Sequence, residues 1–174
     1  MDYEMKPLVW RVLAMEDDRA LLMTEQEVLS IYDHIKQNGM WEDSYVRKLL
    51  NEGFFHAAFT EKEQAQIETA TLKNLKNPTL PGENRIDTKD RVFVLSFEEA
   101  EIYLPTEEDR TAKPTKYAFA QTSAKREWGA WNLRTEGKKP WGPVSVSEGL
   151  GAYVMTGNHV GRDYLRPCIW IKKI

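Results

Sequence analysis

Every helix this sequence can start, it also stops within a few residues. Thr24 and Glu27, Thr60 and Glu63, and Ser96 and Glu99 each have the Ser/Thr-x-x-Glu spacing of a capping box. In that motif the hydroxyl accepts one unpaired helix amide and the carboxylate accepts another. The first pair predicts a helix through Val28, Leu29 and Tyr32 that ends before Asn38-Gly39. The second predicts a stretch from Lys62 to Ile67, and the third a helix Phe97–Tyr103 stopped by Pro105. Ser44 can cap another helix, with Val46, Leu49, Leu50 and Gly53 on one face. Pro114-Thr115 opens a last one through Tyr117, Ala118 and Phe119.

Strand signals lie between these helices without a regular βαβ alternation, which predicts an α+β domain rather than a doubly wound sheet. The residues Leu8 to Leu13 and Ala20 to Met23 read as a hairpin turning at Glu16-Asp17-Asp18-Arg19. Arg91-Val92-Phe93-Val94-Leu95 is the most apolar strand candidate. Asn74 to Lys89, with Asn-Pro and Pro-Gly, reads as an exposed loop. From Trp128 onward glycines and prolines separate short strand-like pieces at 131–134, 144–147 and 152–155. The strand-like run Arg166-Pro167-Cys168-Ile169-Trp170-Ile171 closes the domain.

The 174 residues suffice for one domain, 1–174, with a real core. Hydrophobic residues at 41% and six Trp are too many for a disordered chain. A net charge of −3 advertises no nucleic acid and no anionic membrane. No apolar run reaches the length of a membrane span, and the N-terminus lacks the features of a signal peptide. Cytoplasm is the default location, with surface association left open for a domain excised from a longer protein.

Several motifs follow one another along the chain. They are Trp41-x-x-Ser44-x-x-Arg47-x-x-Leu50-Asn51, then Phe54, Ala58-Phe59, Glu63 and Ile67. Thr88-x-Asp90-x-Val92-Phe93-x-Leu95-Ser96-x-Glu98-Glu99-Ala100 follows, then Arg110, Pro114-Thr115-x-Tyr117-Ala118, Trp131-x-Leu133-Arg134 and Arg166-Pro167. This series resembles the bacterial domain-of-unknown-function family 6273 over nearly the whole chain. That family is similar, more distantly, to the C-type-lectin-like fold of formylglycine-generating enzymes and of phage or bacterial variable receptor proteins. The resemblance implies short helices around a twisted, mainly antiparallel sheet, a loop-rich C-terminal half, and N- and C-terminal strands paired, Leu8–Leu13 with the closing strand. It implies no known activity. Asn132 stands where the family usually has a second aromatic, and Tyr164 where it usually has glycine two residues before Arg166.

The chemistry of the related enzymes lacks its residues here. Cys168 is alone, so neither a copper-binding cysteine pair nor a disulfide framework can form, and a small core thiol is the expected role. His34, His56 and His159 are scattered rather than spaced as metal ligands. The acidic loop Glu83-Asn84-x-x-Asp87-x-x-Asp90 offers oxygens without an EF-hand pattern, so loop capping is favoured over calcium. No catalytic residue, metal site or cofactor is therefore expected.

Arg47, Arg134 and Arg166 each interrupt an apolar motif. Each is either a buried clamp on carbonyls and a carboxylate or an anion hook, with Asp90 and Glu98 as the plausible carboxylates. The clamp reading is favoured. Trp128, Trp131, Trp141 and Tyr153 lie among Lys138-Lys139, Asn158 and His159, an aromatic and polar mixture suited to holding a protein or a carbohydrate. Trp131, Arg134, Trp141, Tyr153, Asn158, His159 and Arg166 are thus the candidate binding residues, Trp131 being the one favoured as core. The leading expectation is a non-catalytic binding module displaying residues 137–161. The alternatives are an enzyme distantly related to the formylglycine-generating group, or a structural accessory domain of a larger, phage-derived assembly.

Overall fold

The computed structural model describes residues 7–32, 40–121, 129–138, 142–147, 149–155 and 162–173. The expected hairpin forms from β1 (Trp10–Met15) and β2 (Arg19–Thr24), turning at Glu16. The closing strand β10 (Cys168–Lys172) pairs antiparallel with β2, giving the order β1-β2-β10. This corrects the expected pairing of the closing strand with Leu8–Leu13. Burial explains the difference: β2 is buried at four of its six positions and so takes the centre, whereas Val12 and Met15 leave β1 as the exposed edge.

Thr24 and Glu27 do not open a helix. The backbone here is recruited into sheets: Thr24 N–H donates to Pro167 O, Glu27 N–H to Lys113 O and Val28 N–H to Leu165 O. With those amides taken, the capping box has nothing to cap, and the next residues form strand β3 (Leu29–Tyr32). Ser44 does cap the next helix, accepting from Arg47 N–H. That helix runs as α1 (Tyr45–Lys48), a π-helical segment (Leu49–Phe54) and α2 (Phe55–Ala58). Thr60 and Glu63 complete their box at the start of α3 (Glu61–Gln64). The ladder β4 (Ala70–Leu72) and β5 (Thr88–Asp90) brackets the 73–87 loop, in which Asn74 and Asn77 are buried rather than exposed.

Ser96 and Glu99 cap α4 (Phe97–Tyr103) as expected. Thr106 and Asp109 form a further box on α5 (Glu107–Arg110), and Thr115 caps α6 (Lys116–Ala120). The strands β6 (Trp131–Glu136), β7 (Pro143–Val146), β8 (Tyr153–Val154) and β9 (Arg162–Leu165) join β3 in a five-stranded sheet of order β3-β9-β6-β7-β8. All pairings are antiparallel except β6 with β9. The fold is α+β, with short helices and largely antiparallel sheets. No helix among the described residues is long and apolar enough to cross a membrane.

The apolar run 91–95 is core but not a regular strand. Val92, Phe93, Val94 and Leu95 are all buried, yet only Phe93 makes a ladder contact, exchanging two hydrogen bonds with Cys168 (3.0 and 2.7 Å). Side chains satisfy much of the rest. Asn51, from the π-helical segment, donates to Val92 O (2.8 Å) and accepts from Arg91 N–H (2.8 Å) and Val92 N–H (3.2 Å). Its amide group thus stands in for a neighbouring strand, which is how this run is buried without a full ladder.

Candidate functional site

Two of the three arginines picked out by the sequence, Arg47 and Arg134, are joined by one chain of polar contacts. Arg47 Nε donates to Asp90 Oδ1 at 2.7 Å, and Asp90 Oδ2 accepts from Trp41 Nε1 (3.0 Å) and Thr88 Oγ1 (2.7 Å). Asn74 Nδ2 donates to Thr88 Oγ1 (3.2 Å), and Asn74 Oδ1 accepts from Arg134 Nε (3.1 Å). Arg134, 4% exposed, then grips the Glu99 carboxylate with both terminal nitrogens, Nη2 to Oε1 at 2.6 Å. Its Nη1 also holds Val94 O (2.9 Å). Glu99 closes the chain on its own helix start, accepting from Ser96 N–H.

Arg134 makes the contacts expected of a buried clamp, with Glu99 and not Glu98 as its carboxylate, whereas Arg47 makes contacts of the same kind with its side chain 30% exposed. Glu99 is the N3 residue whose carboxylate turns back toward the helix start, and the fork of Arg134 meets it there. Asp90 and Asp87 of the acidic loop are engaged elsewhere, Asp90 by Arg47, Trp41 and Thr88, and Asp87 by Lys73.

Arg166 is fully buried. It donates to Thr24 O and Glu25 O, each at 3.2 Å, and its guanidinium lies over the Trp131 ring, 5.0 Å from the centroid. Burial, with the nearby Arg11 charge, pulls its pKa down to about 10, so it stays cationic at neutral pH. Trp131 is itself buried, its Nε1 donating to Arg110 O at 2.9 Å. Tyr164 packs where Gly129 leaves room: a Cβ on Gly129 would sit 1.8 Å from the Tyr164 ring. Gly129, just before β6, thus leaves the room that the Tyr164 ring occupies. Cys168 is buried, and burial raises its thiol pKa well above the ordinary value, so the protonated core thiol is the stable form.

Of the other candidates, Tyr153 is half-buried on β8, edge-on to Phe97 at 4.8 Å and beneath the Arg110 guanidinium at 4.6 Å. Burial raises its phenol pKa. Trp128, Trp141, Asn158 and His159 lie outside the described residues, as does His34. His56 sits on α2 with its ring against Phe55.

The outward face beside Tyr153 is built by Arg110, whose role the sequence did not disclose. Its Nε donates to Gly151 O at 2.5 Å and its Nη1 to Leu104 O at 2.8 Å. This ties the 149–153 turn to α5. Gly149 and Gly151 both have φ above +60°, and a Cβ on Gly151 would lie 2.1 Å from Glu107 O, so only glycine allows this approach. Between α5 and the turn lies an open cleft of about 380 Å³ lined by Glu107, Glu108, Thr111, Gly149 and Leu150. Leu150, 67% exposed, stands at its rim. The presence of Arg110 inside a family motif was a signal; its partners across 41 residues were not.

No curated protein and no solved structure matches the chain. The model of one family, described as a domain of unknown function (DUF6273), matches residues 17–173, and the chain belongs to that family.

Proposed function

We propose that the chain is a non-catalytic binding module of C-type-lectin-like fold, taking a protein or a carbohydrate on its C-terminal loop surface. The observation that carries this reading is Leu150. An apolar side chain, two-thirds exposed, stands at the mouth of a cleft on a turn that Arg110 ties to α5 and that two glycines permit. Loops positioned by a rigid scaffold commonly carry binding residues. The interior arginines support the reading from the other side: Arg134 bonds carbonyls and a carboxylate and Arg166 is fully buried, so the proposed surface lies outward, at the cleft and Tyr153. The lectin-like assignment rests on the family resemblance and on the closing strand lying in one sheet with the N-terminal hairpin.

The test is a pull-down and a glycan array with the wild-type protein, repeated with Leu150→Asp and with a Trp141, Asn158 and His159 triple alanine variant. Loss of binding in Leu150→Asp, with an unchanged melting temperature, is the expected result. Binding that survives both variants would place the surface elsewhere.

A further inference from the structure

We infer that an ordered water molecule is built into the break between β6 and β7, held by Asn132 and Ser145. These residues are register partners across the ladder, so their side chains share one sheet face with Cβ atoms about 5 Å apart. Both are buried, Asn132 5% and Ser145 1% exposed. Asn132 Oδ1 and Ser145 Oγ nevertheless hydrogen-bond to no protein atom among the described residues. Buried polar groups left so are costly, and internal water is the common remedy where two or more converge.

The backbone opens at the same point. Beyond the Asn132–Ser145 pair, residues 133–135 of β6 face only Val144 before pairing resumes at Glu136 and Pro143. The extra length peels away: Arg134 N–H leaves the β7 side and donates to Leu95 O at 2.9 Å. A ladder that widens beside an amide oxygen and a hydroxyl offers one water an acceptor in Asn132 Oδ1 and a donor or acceptor in Ser145 Oγ. This water fixes the register of two central strands at the place where regular pairing lapses. The inference is independent of any ligand surface.

Two measurements test it. In the wild-type protein, water–protein cross-relaxation NMR should show a long-lived water next to the Ser145 β-protons and the Asn132 side-chain amide. A high-resolution crystal structure should show density between Asn132 Oδ1 and Ser145 Oγ. In the Asn132→Leu/Ser145→Val double variant both signals should vanish. A direct Ser145 Oγ–H to Asn132 Oδ1 hydrogen bond with no intervening density, or no long-lived water in the wild type, would overturn the inference. Because both decisive readouts use the wild-type protein, they stand even if the variant fails to fold.

Discussion

Replacing Arg134 by alanine removes five hydrogen bonds at once, to the Asn74 side chain, to Val94 O and Lys73 O, and twice to Glu99. Breaking a buried ion pair by deleting one partner costs about 3–5 kcal/mol, chiefly because the other partner is left uncompensated. Here that partner is Glu99, whose side chain is 29% exposed and still held by the Ser96 amide. It can rehydrate, so we place the loss at the lower end, about 3 kcal/mol. For a domain of this size that corresponds to a fall in Tm of roughly 6–12 °C. Equilibrium urea denaturation measures it directly, provided the m-value is unchanged. Arg134→Lys keeps the charge but not the fork, and should fall between alanine and wild type. A loss below about 1 kcal/mol for Arg134→Ala would refute the clamp, because a surface pair is worth no more than that.

Further expectations follow from the same geometry. Cys168 should resist a thiol reagent in the native protein and react fully in denaturant; rapid labelling of folded protein would contradict its burial. Gly151→Ala should cost about 2 kcal/mol by thermal melting, since it combines a left-handed backbone with a contact on Glu107 O, and an unchanged Tm would show that the turn is not bolted to α5. Arg11 grips both oxygens of Glu25 and holds that carboxyl below its ordinary value of 4.5. The folded pKa is the lower one, so this contribution is fully present above about pH 4.5 and is lost as pH falls through the folded value. Arg11→Met should flatten stability against pH in that acid window; an identical pH profile would exclude the pair.

The parts of the fold that local chemistry decides were legible in the sequence. Ser44, Thr60, Ser96 and Thr115 each cap the helix they were expected to start, because a cap needs only residues within one turn. Thr24 and Glu27 have the same spacing and fail, because distant segments at Lys113, Leu165 and Pro167 claim the same stretch of backbone. No local pattern reports that competition. β9 went unread for a related reason: Arg162-Asp163-Tyr164 has no apolar alternation, and its strand character comes from lying between β3 and β6. At the polar chain, the sequence pointed to Arg47, Arg134 and Asp90, which interrupt apolar motifs. It did not point to Asn74, an ordinary loop residue until its partners are known.

The dependence of the 91–95 run on borrowed side chains has a kinetic consequence. Asn51 reaches it across 41 residues, Arg134 across 40, and Cys168 meets it from the far end of the chain. None of these contacts is local, so each requires closure of a long loop before it contributes. The 91–95 run should therefore reach its native contacts only as the fold as a whole assembles, and be released only when the fold as a whole opens. Its Phe93 amide, bonded to Cys168 O, should then exchange with solvent only through global unfolding, at the same free energy that denaturation reports.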